Sequence, residues 1–267
     1  MSYSEKFGAL LRSISDEADA MSLDCFRNAG LRVERKMDGT ALTQADGAVE
    51  KMARKMVAES GMPLDVYGEE QGTGGGGKSG GAAAAGNSAN RARLIIDPID
   101  GTEEFSRGIP TFGTLLGIEL NGEIVVGMCS APALGTRWWA YRGEGAFRNG
   151  EKIRVSSTPR LSEAMVFTTG TGPSKTPEDR ARIRRLLDAS RNSRSLGGFW
   201  QHMLVAEGAI DAALDWTSKP WDLAPLGIIV EEAGGMSTNV QGERTIYSGD
   251  FLSTNGVIHE EAMALLR

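Results

Sequence analysis

Asp97 and Asp100 sit three residues apart in Ile95-Ile96-Asp97-Pro98-Ile99-Asp100-Gly101-Thr102, at the end of an apolar run. Carboxylates at a strand end gain little from packing, but they suit a hard cation. Mg²⁺ takes oxygen ligands in near-octahedral geometry and usually shares its shell with substrate phosphate. Gly101-Thr102 reads as a helix start, where backbone N–H groups can bind phosphate oxygens. One short segment therefore offers a metal site beside a phosphate cradle. Four further acids could join it, each with an ordinary alternative. Asp46 suits the first turn of a helix as a dipole partner, and Glu69 and Glu70 could be solvated strand-end charges. Asp222, just ahead of Leu223-Ala224-Pro225, fits a helix N-cap. Neither histidine looks nucleophilic: His202 reads as packing or substrate rim, and His259 as solvated.

The elements that must carry these residues follow from periodicity. Phe7, Leu10, Leu11, Ile14, Ala18, Met21 and Cys25 recur at helical spacing, and Val49, Met52, Met56 and Val57 line a second helix from about Asp46. Thr43 with Asp46 resembles a capping box, although that motif favours Glu or Gln in the second place. Strands are predicted over 64–67, 93–96, 114–120, 124–130 and 137–142, with Asn121-Gly122 as a hairpin turn. Trp138 and Trp139 fall on opposite faces of the last, one inside and one outside. Strands at 165–168, 194–196 and 210–214 then alternate with helices at 177–187, 200–207 and 223–232, the last stopping at Gly234-Gly235. That alternation predicts a layered α/β fold.

Composition narrows the function classes. The 267 residues can bury a large core, and 40% hydrophobic with 24% charged residues is ordinary for a globular protein. A net charge of −6 argues against a nucleic acid polymer as main partner. No run approaches the ~20 apolar residues of a membrane span, and the first residues do not read as a secretory leader. Cys25 and Cys129 lack metal-ligand spacing and suit a reducing compartment, so cytoplasm is expected. The Gly- and Ala-rich stretch 72–87 is predicted to be a mobile loop and a candidate flap over the site. Gly77-Lys78-Ser79 within it lacks the spacing and the following helix of a nucleotide P-loop.

Asp97-Pro98-Ile99-Asp100-Gly101-Thr102 resembles the signature of the inositol monophosphatase superfamily. Its companions stand in order: Thr43-Gln44-Ala45-Asp46 with Glu50, Gly68-Glu69-Glu70, Trp221-Asp222, and Glu232-Ala233-Gly234-Gly235. The resemblance spans residues 36 to 256. It implies an α-β-α-β-α sandwich, with an N-terminal lobe over 1–153 and a C-terminal lobe over 154–267. It also implies that Glu69, Asp97, Asp100 and Asp222, with the Ile99 carbonyl, hold two or three Mg²⁺ ions, Asp97 bridging two of them. Thr102, with Glu69 and Asp46, would orient and deprotonate the attacking water. The N–H groups of Gly101 and Thr102 would hold phosphate, with no covalent phosphoenzyme. A homodimer and lithium sensitivity are implied in the same way.

The substrate positions implied by the resemblance are Gly197, Gly198, Phe199 and Asp215. Ser130-Ala131-Pro132-Ala133-Leu134, Arg137-Trp138-Trp139-Ala140 and Ser253-Thr254-Asn255-Gly256 look closest to the histidinol-phosphate phosphatase branch. Two departures stand against it. Gly198 replaces an Asp, and Glu103-Glu104 replace Lys-Asn. A small-molecule phosphate monoester is expected as substrate, histidinol phosphate first, with inositol, sugar or nucleoside monophosphates as alternatives. A metal-binding regulator without turnover is the competing class.

Overall fold

The computed structural model describes residues 2–28, 30, 32–35, 41–73, 92–169 and 176–267. Apart from Gly72 and Thr73, the Gly-rich stretch and its P-loop echo lie outside the described residues.

Helix α1 (Tyr3–Cys25) opens on a capping box between Ser2 and Glu5 and buries Phe7, Leu11, Ile14 and Ala18. A short antiparallel pair follows, β1 (Val33–Arg35) with β2 (Ala41–Thr43), and then α2 (Gln44–Glu59). The chain continues through β3 (Leu64–Gly68), β4 (Gly72–Thr73), β5 (Ala92–Asp100) and the five-residue α3 (Thr102–Ser106). Next come β6 (Gly113–Leu120), β7 (Glu123–Ala131), β8 (Thr136–Tyr141), β9 (Gly145–Arg148) and β10 (Glu151–Lys152). The remainder alternates: β11 (Met165–Thr168), α4 (Pro177–Ala189), β12 (Asn192–Ser195), α5 (Gly198–Ala206), β13 (Ala212–Trp216) and α6 (Pro220–Glu232). It closes with β14 (Met236–Thr238), β15 (Asp250–Thr254) and α7 (His259–Leu266).

Two sheets result. The first has eight strands in the order β10-β9-β8-β7-β6-β5-β3-β4, antiparallel except between β3 and β5. The second has five, in the order β12-β11-β13-β15-β14. Alternation along β5 sends its residues to two cores. Leu94 and Ile96 pack with Phe7, Leu11, Ala53 and Val57 of α1 and α2. Ile95 joins Phe199, Leu223 and Leu226 of α5 and α6, which also meet Ala213 and Phe251 of the second sheet. The far face of that sheet, through Val166, Leu214 and Leu252, packs on Ile183 of α4 and Met263 of α7. The layers are therefore α-β-α-β-α, as expected. Each such aliphatic side chain contributes about 1.5–3 kcal/mol of transfer free energy.

Glycine brings α6 unusually close to the first sheet. A Cβ at Gly117 would lie 2.7 Å from the Ala224 Cβ, and one at Gly127 would lie 2.6 Å from the Pro225 carbonyl. That approach places the N-terminal turn of α6 over the end of β5. Asn121 (φ 54°) and Gly122 (φ 84°) form the predicted hairpin turn, both in the left-handed region.

Several expectations are corrected. Strand β5 runs on to Asp100 rather than ending at Ile96, with a register shift between Asp97 and Asp100. Pro98 has no N–H to offer a ladder, and its carbonyl is taken by the Thr114 hydroxyl at 2.9 Å. Helix α6 begins at Pro220, a favoured first-turn residue, so Asp222 lies inside the first turn and is not the N-cap. His259 is buried, bonded to Thr238 and Thr254 at 3.0 Å each, rather than solvated. Trp138 is core, but Trp139 is only half-buried, stacked on Phe147 against the α1–α2 side.

Candidate metal and phosphate centre

The end of β5, the first turn of α3 and the first turn of α6 converge on one cleft of about 470 Å³. Its walls include Glu69, Asp97, Ile99, Asp100, Gly101, Thr102 and Asp222. One oxygen each from Asp97, Asp100 and Asp222 lies within 4.8 Å of the others. Local bonding holds each carboxylate in place. Asp97 Oδ1 accepts the Ile99 N–H at 3.0 Å. Asp100 Oδ2 accepts the Phe199 N–H at 3.0 Å. Asp222 Oδ2 accepts the Lys219 N–H at 2.7 Å, which closes the first turn of α6. Glu69 comes from the turn after β3, where its own N–H donates to the Ile96 carbonyl at 3.2 Å. Tyr67 and Trp221, one ahead of that turn and one beside Asp222, meet edge to face at 5.5 Å.

Burial, then mutual repulsion, sets the charge of these groups. Asp97 and Asp100 are pushed well above the usual carboxylate range, chiefly by desolvation and then by neighbouring acids. Asp222 is raised to about 7 for the same leading reason, although part of its surface opens to the cleft. All the donors are oxygens, three of them convergent carboxylates. That set fits a hard divalent cation, which would offset the repulsion and favour the ionised forms.

Asp46 is fully buried at the start of α2 and completes the predicted capping box. Its Oδ2 accepts the Thr43 N–H at 2.8 Å and the Thr43 hydroxyl at 2.5 Å. Its Oδ1 lies 3.1 Å from the Thr102 hydroxyl, which also reaches the Ile99 carbonyl at 2.8 Å. Burial raises the Asp46 carboxyl above its ordinary value. The hydroxyl has one proton for two acceptors, so a proton on Asp46 would free Thr102 to donate to Ile99. Gly101 adopts φ 80°, and a Cβ there would lie 2.8 Å from the Thr111 carbonyl.

The predicted substrate positions are placed differently. Gly197, Gly198, Phe199 and Asp215 are not among the residues lining this cleft. Gly198 (φ 65°) backs onto Asp100, with a would-be Cβ 2.9 Å from its Oδ2. The Phe199 ring is buried edge-on to Trp138. Asp215 is buried between the Gln201 amide and His202, whose Nε2 lies 3.3 Å from Asp215 Oδ2 but out of line for a hydrogen bond. Sequence reasoning did not foresee Arg35 on the cleft wall, 2.8 Å from Glu103. No motif marks it. With Arg107 it holds the exposed Glu103 carboxyl below its ordinary range.

The model of the inositol monophosphatase family matches residues 12–267. A histidinol-phosphatase of Streptomyces coelicolor is 35% identical over 96% of this chain and 95% of its own length. One of Mycobacterium tuberculosis is 36% identical over 96% of each. Among solved structures, an IMPase of Thermotoga maritima superposes with a TM-score of 0.80 at 31% identity, over 95% of this chain and 94% of its own.

Proposed function

Because this chain belongs to the inositol monophosphatase family, we propose that its acidic cleft hydrolyses histidinol phosphate in a Mg²⁺-dependent reaction. The coarser reaction class is that of a phosphoric monoester hydrolase acting on a small phosphate ester, in a metal-dependent family. The observation that carries the site is the convergence of Asp97, Asp100 and Asp222 from two separate elements beside the Gly101-Thr102 turn.

In this reading Glu69, Asp97, Asp100, Asp222 and the Ile99 carbonyl would hold two or three Mg²⁺ ions. Bound there, the ions would supply Lewis acidity, lowering the pKa of water and neutralising charge on the phosphate oxygens. The chain's own part is positioning and proton handling. The N–H groups of Gly101 and Thr102 hold phosphate oxygens. Thr102 Oγ1 orients the attacking water through its bond to Asp46, and Asp46 with Glu69 receives the water's proton. A buried carboxylate with a raised pKa suits that role, because a base works best with its pKa nearer the working pH. Water forms the new P–O bond as the old one breaks, and the departing ester oxygen takes a proton from solvent to leave as the alcohol. Gly197, Gly198, Phe199 and Asp215 belong to the substrate side, through backbone more than side chain. A two-lobed division near Arg154, a homodimer, cytoplasmic residence and lithium inhibition extend the same reading.

A second substrate reading rests on Gly198 and Asp215. Gly198 carries no acid, and the Asp215 carboxylate is already engaged by Gln201 and His202. With no acid at Gly198 and Asp215 already engaged, these positions offer little to a substrate amine, which would favour an inositol, sugar or nucleoside monophosphate. Mg²⁺-dependent phosphate release from histidinol phosphate, inositol 1-phosphate, sugar phosphates and nucleoside 5′-monophosphates decides this, with Asp100→Asn as the blank. A preference for histidinol phosphate is expected. Preference for another ester sinks that assignment and leaves the phosphatase intact.

A further inference from the structure

Glu50 belongs to the first acidic motif, yet it does not line the cleft. It is completely buried on α2, one turn after Asp46. A buried carboxylate must be paired and hydrogen-bonded, and this one is. Its Oε1 accepts Arg54 Nε at 2.9 Å and Nη2 at 2.7 Å. Oε1 also accepts the Gln71 N–H at 3.2 Å, while Oε2 accepts the Glu70 N–H at 2.8 Å. Arg54 then reaches past the carboxylate to the same segment of chain. Its Nη1 donates to the Val66 carbonyl at 3.2 Å and its Nη2 to the Gly72 carbonyl at 2.5 Å.

Four backbone groups between Val66 and Gly72 are thus read by two side chains of one helix, and Glu69 sits in their midst. Gly68 completes the fit. A Cβ there would lie 2.4 Å from the Glu50 carboxyl carbon and within 2.6 Å of both its oxygens. No other residue lets the turn close on the carboxylate. The spacing 46, 50, 54 puts three side chains on one stripe of α2. Asp46 bonds the Thr102 hydroxyl at the phosphate turn. Glu50 and Arg54 bond the turn that carries Glu69.

We propose that Glu50 and Arg54 are positioning residues that mould the 68–72 turn and so set the metal affinity of Glu69. This rests on the reading of Glu69 as a Mg²⁺ ligand. Outer groups that orient a ligand typically change metal affinity 10–100-fold when altered. Glu50→Gln keeps one acceptor but removes the charge that Arg54 and the two N–H groups share.

The test is direct Mg²⁺ and Mn²⁺ binding to the whole protein by titration calorimetry, with the metal dependence of phosphate release and Tm alongside. Glu50→Gln is expected to weaken binding about ten-fold and to raise the Mg²⁺ needed for half-maximal activity to match. Arg54→Lys keeps the charge and loses the fork, so it should shift both in the same direction by less. It keeps the test decisive if Glu50→Gln does not fold. A lower Tm with unchanged metal affinity in both variants would overturn the proposal, because a merely structural pair behaves that way. Glu69→Gln separates the two levels. Loss of metal affinity there, without loss in Glu50→Gln or Arg54→Lys, overturns only the positioning role. Unchanged affinity in Glu69→Gln overturns the ligand reading and this proposal with it.

Discussion

Two buried polar clusters lie on either side of the Gly198–Phe199 turn, and they are built on opposite principles. In the cleft, Asp97, Asp100 and Asp222 aim acceptor at acceptor, and burial with repulsion raises all three carboxyl pKa values. Behind the turn, acceptors meet donors. The Gln201 amide donates to Asp215, His202 Nδ1 meets the Ser253 hydroxyl at 2.9 Å, and Ser253 meets Ser237 at 3.1 Å. The second cluster pairs its groups within the chain except for His202 Nε2, and the first needs a cation or protons to be satisfied. Polar burial of the second kind stabilises the fold, while the first kind is retained against stability.

The sharpest way to break this contrast is Asp97→Asn. Removing a central carboxylate forfeits several kcal/mol of transition-state charge stabilisation, a loss of roughly 10³-fold in Mg²⁺-dependent phosphate release. The chelator-treated variant should melt no lower than wild type, since repulsion is relieved. A variant that kept its activity would remove the cleft from the chemistry.

His202→Ala probes the other cluster. It strips partners from Ser253 and Asp215 in a fully buried site, at a cost of about 3 kcal/mol. Urea unfolding checks this, and a change below about 1 kcal/mol would mean that the network is not cohesive. Substituting in the two clusters should thus lower different quantities, activity in one case and stability in the other.

The smallest effect is a pH dependence of opposite sign in two places. The folded Asp222 pKa of about 7 lies above the ordinary 3.8, so the metal-free folded protein holds the extra proton. Its contribution is complete below 3.8 and is lost as pH rises through about 7. With chelator present, Asp222→Asn should therefore gain on wild type by a few degrees between pH 5 and 8, at ~2–4 °C per kcal/mol. His259 runs the other way. Burial lowers its pKa, so its contribution is present above 6.5 and fades as pH falls. A Tm difference for Asp222→Asn that is flat with pH would contradict the raised carboxyl.

Much of this was legible because local rules govern it. Thr43 with Asp46 and Asn121-Gly122 did locally what their residue types dictate. The errors arose where distant packing decides. Asp222 looked like a cap because Leu223 opens the apolar run, but the chain becomes helical at Pro220, with Trp221 seated against Tyr67. His259 looked solvated near the chain end, but α7 packs into the third core and covers it. The extent of β5 was hidden by Pro98, which the bulge and Thr114 accommodate. The contacts of Glu50 were invisible, since its partners Glu70 and Gln71 lie twenty and twenty-one residues away.

The amino-acid sequence by itself determined the acidic motifs, their order, the layered alternation of elements and the reaction class they imply. Those properties reside in residue type and short spacing, which survive without knowledge of the fold. Only the tertiary structure decided which acids converge, that Asp215 is engaged from behind, and that Gly198 backs onto Asp100. The reason is geometric. Charge repulsion, burial and a glycine's missing Cβ act between atoms a few ångströms apart, and the chain brings those atoms together only by packing β5, α5 and α6 into one wall.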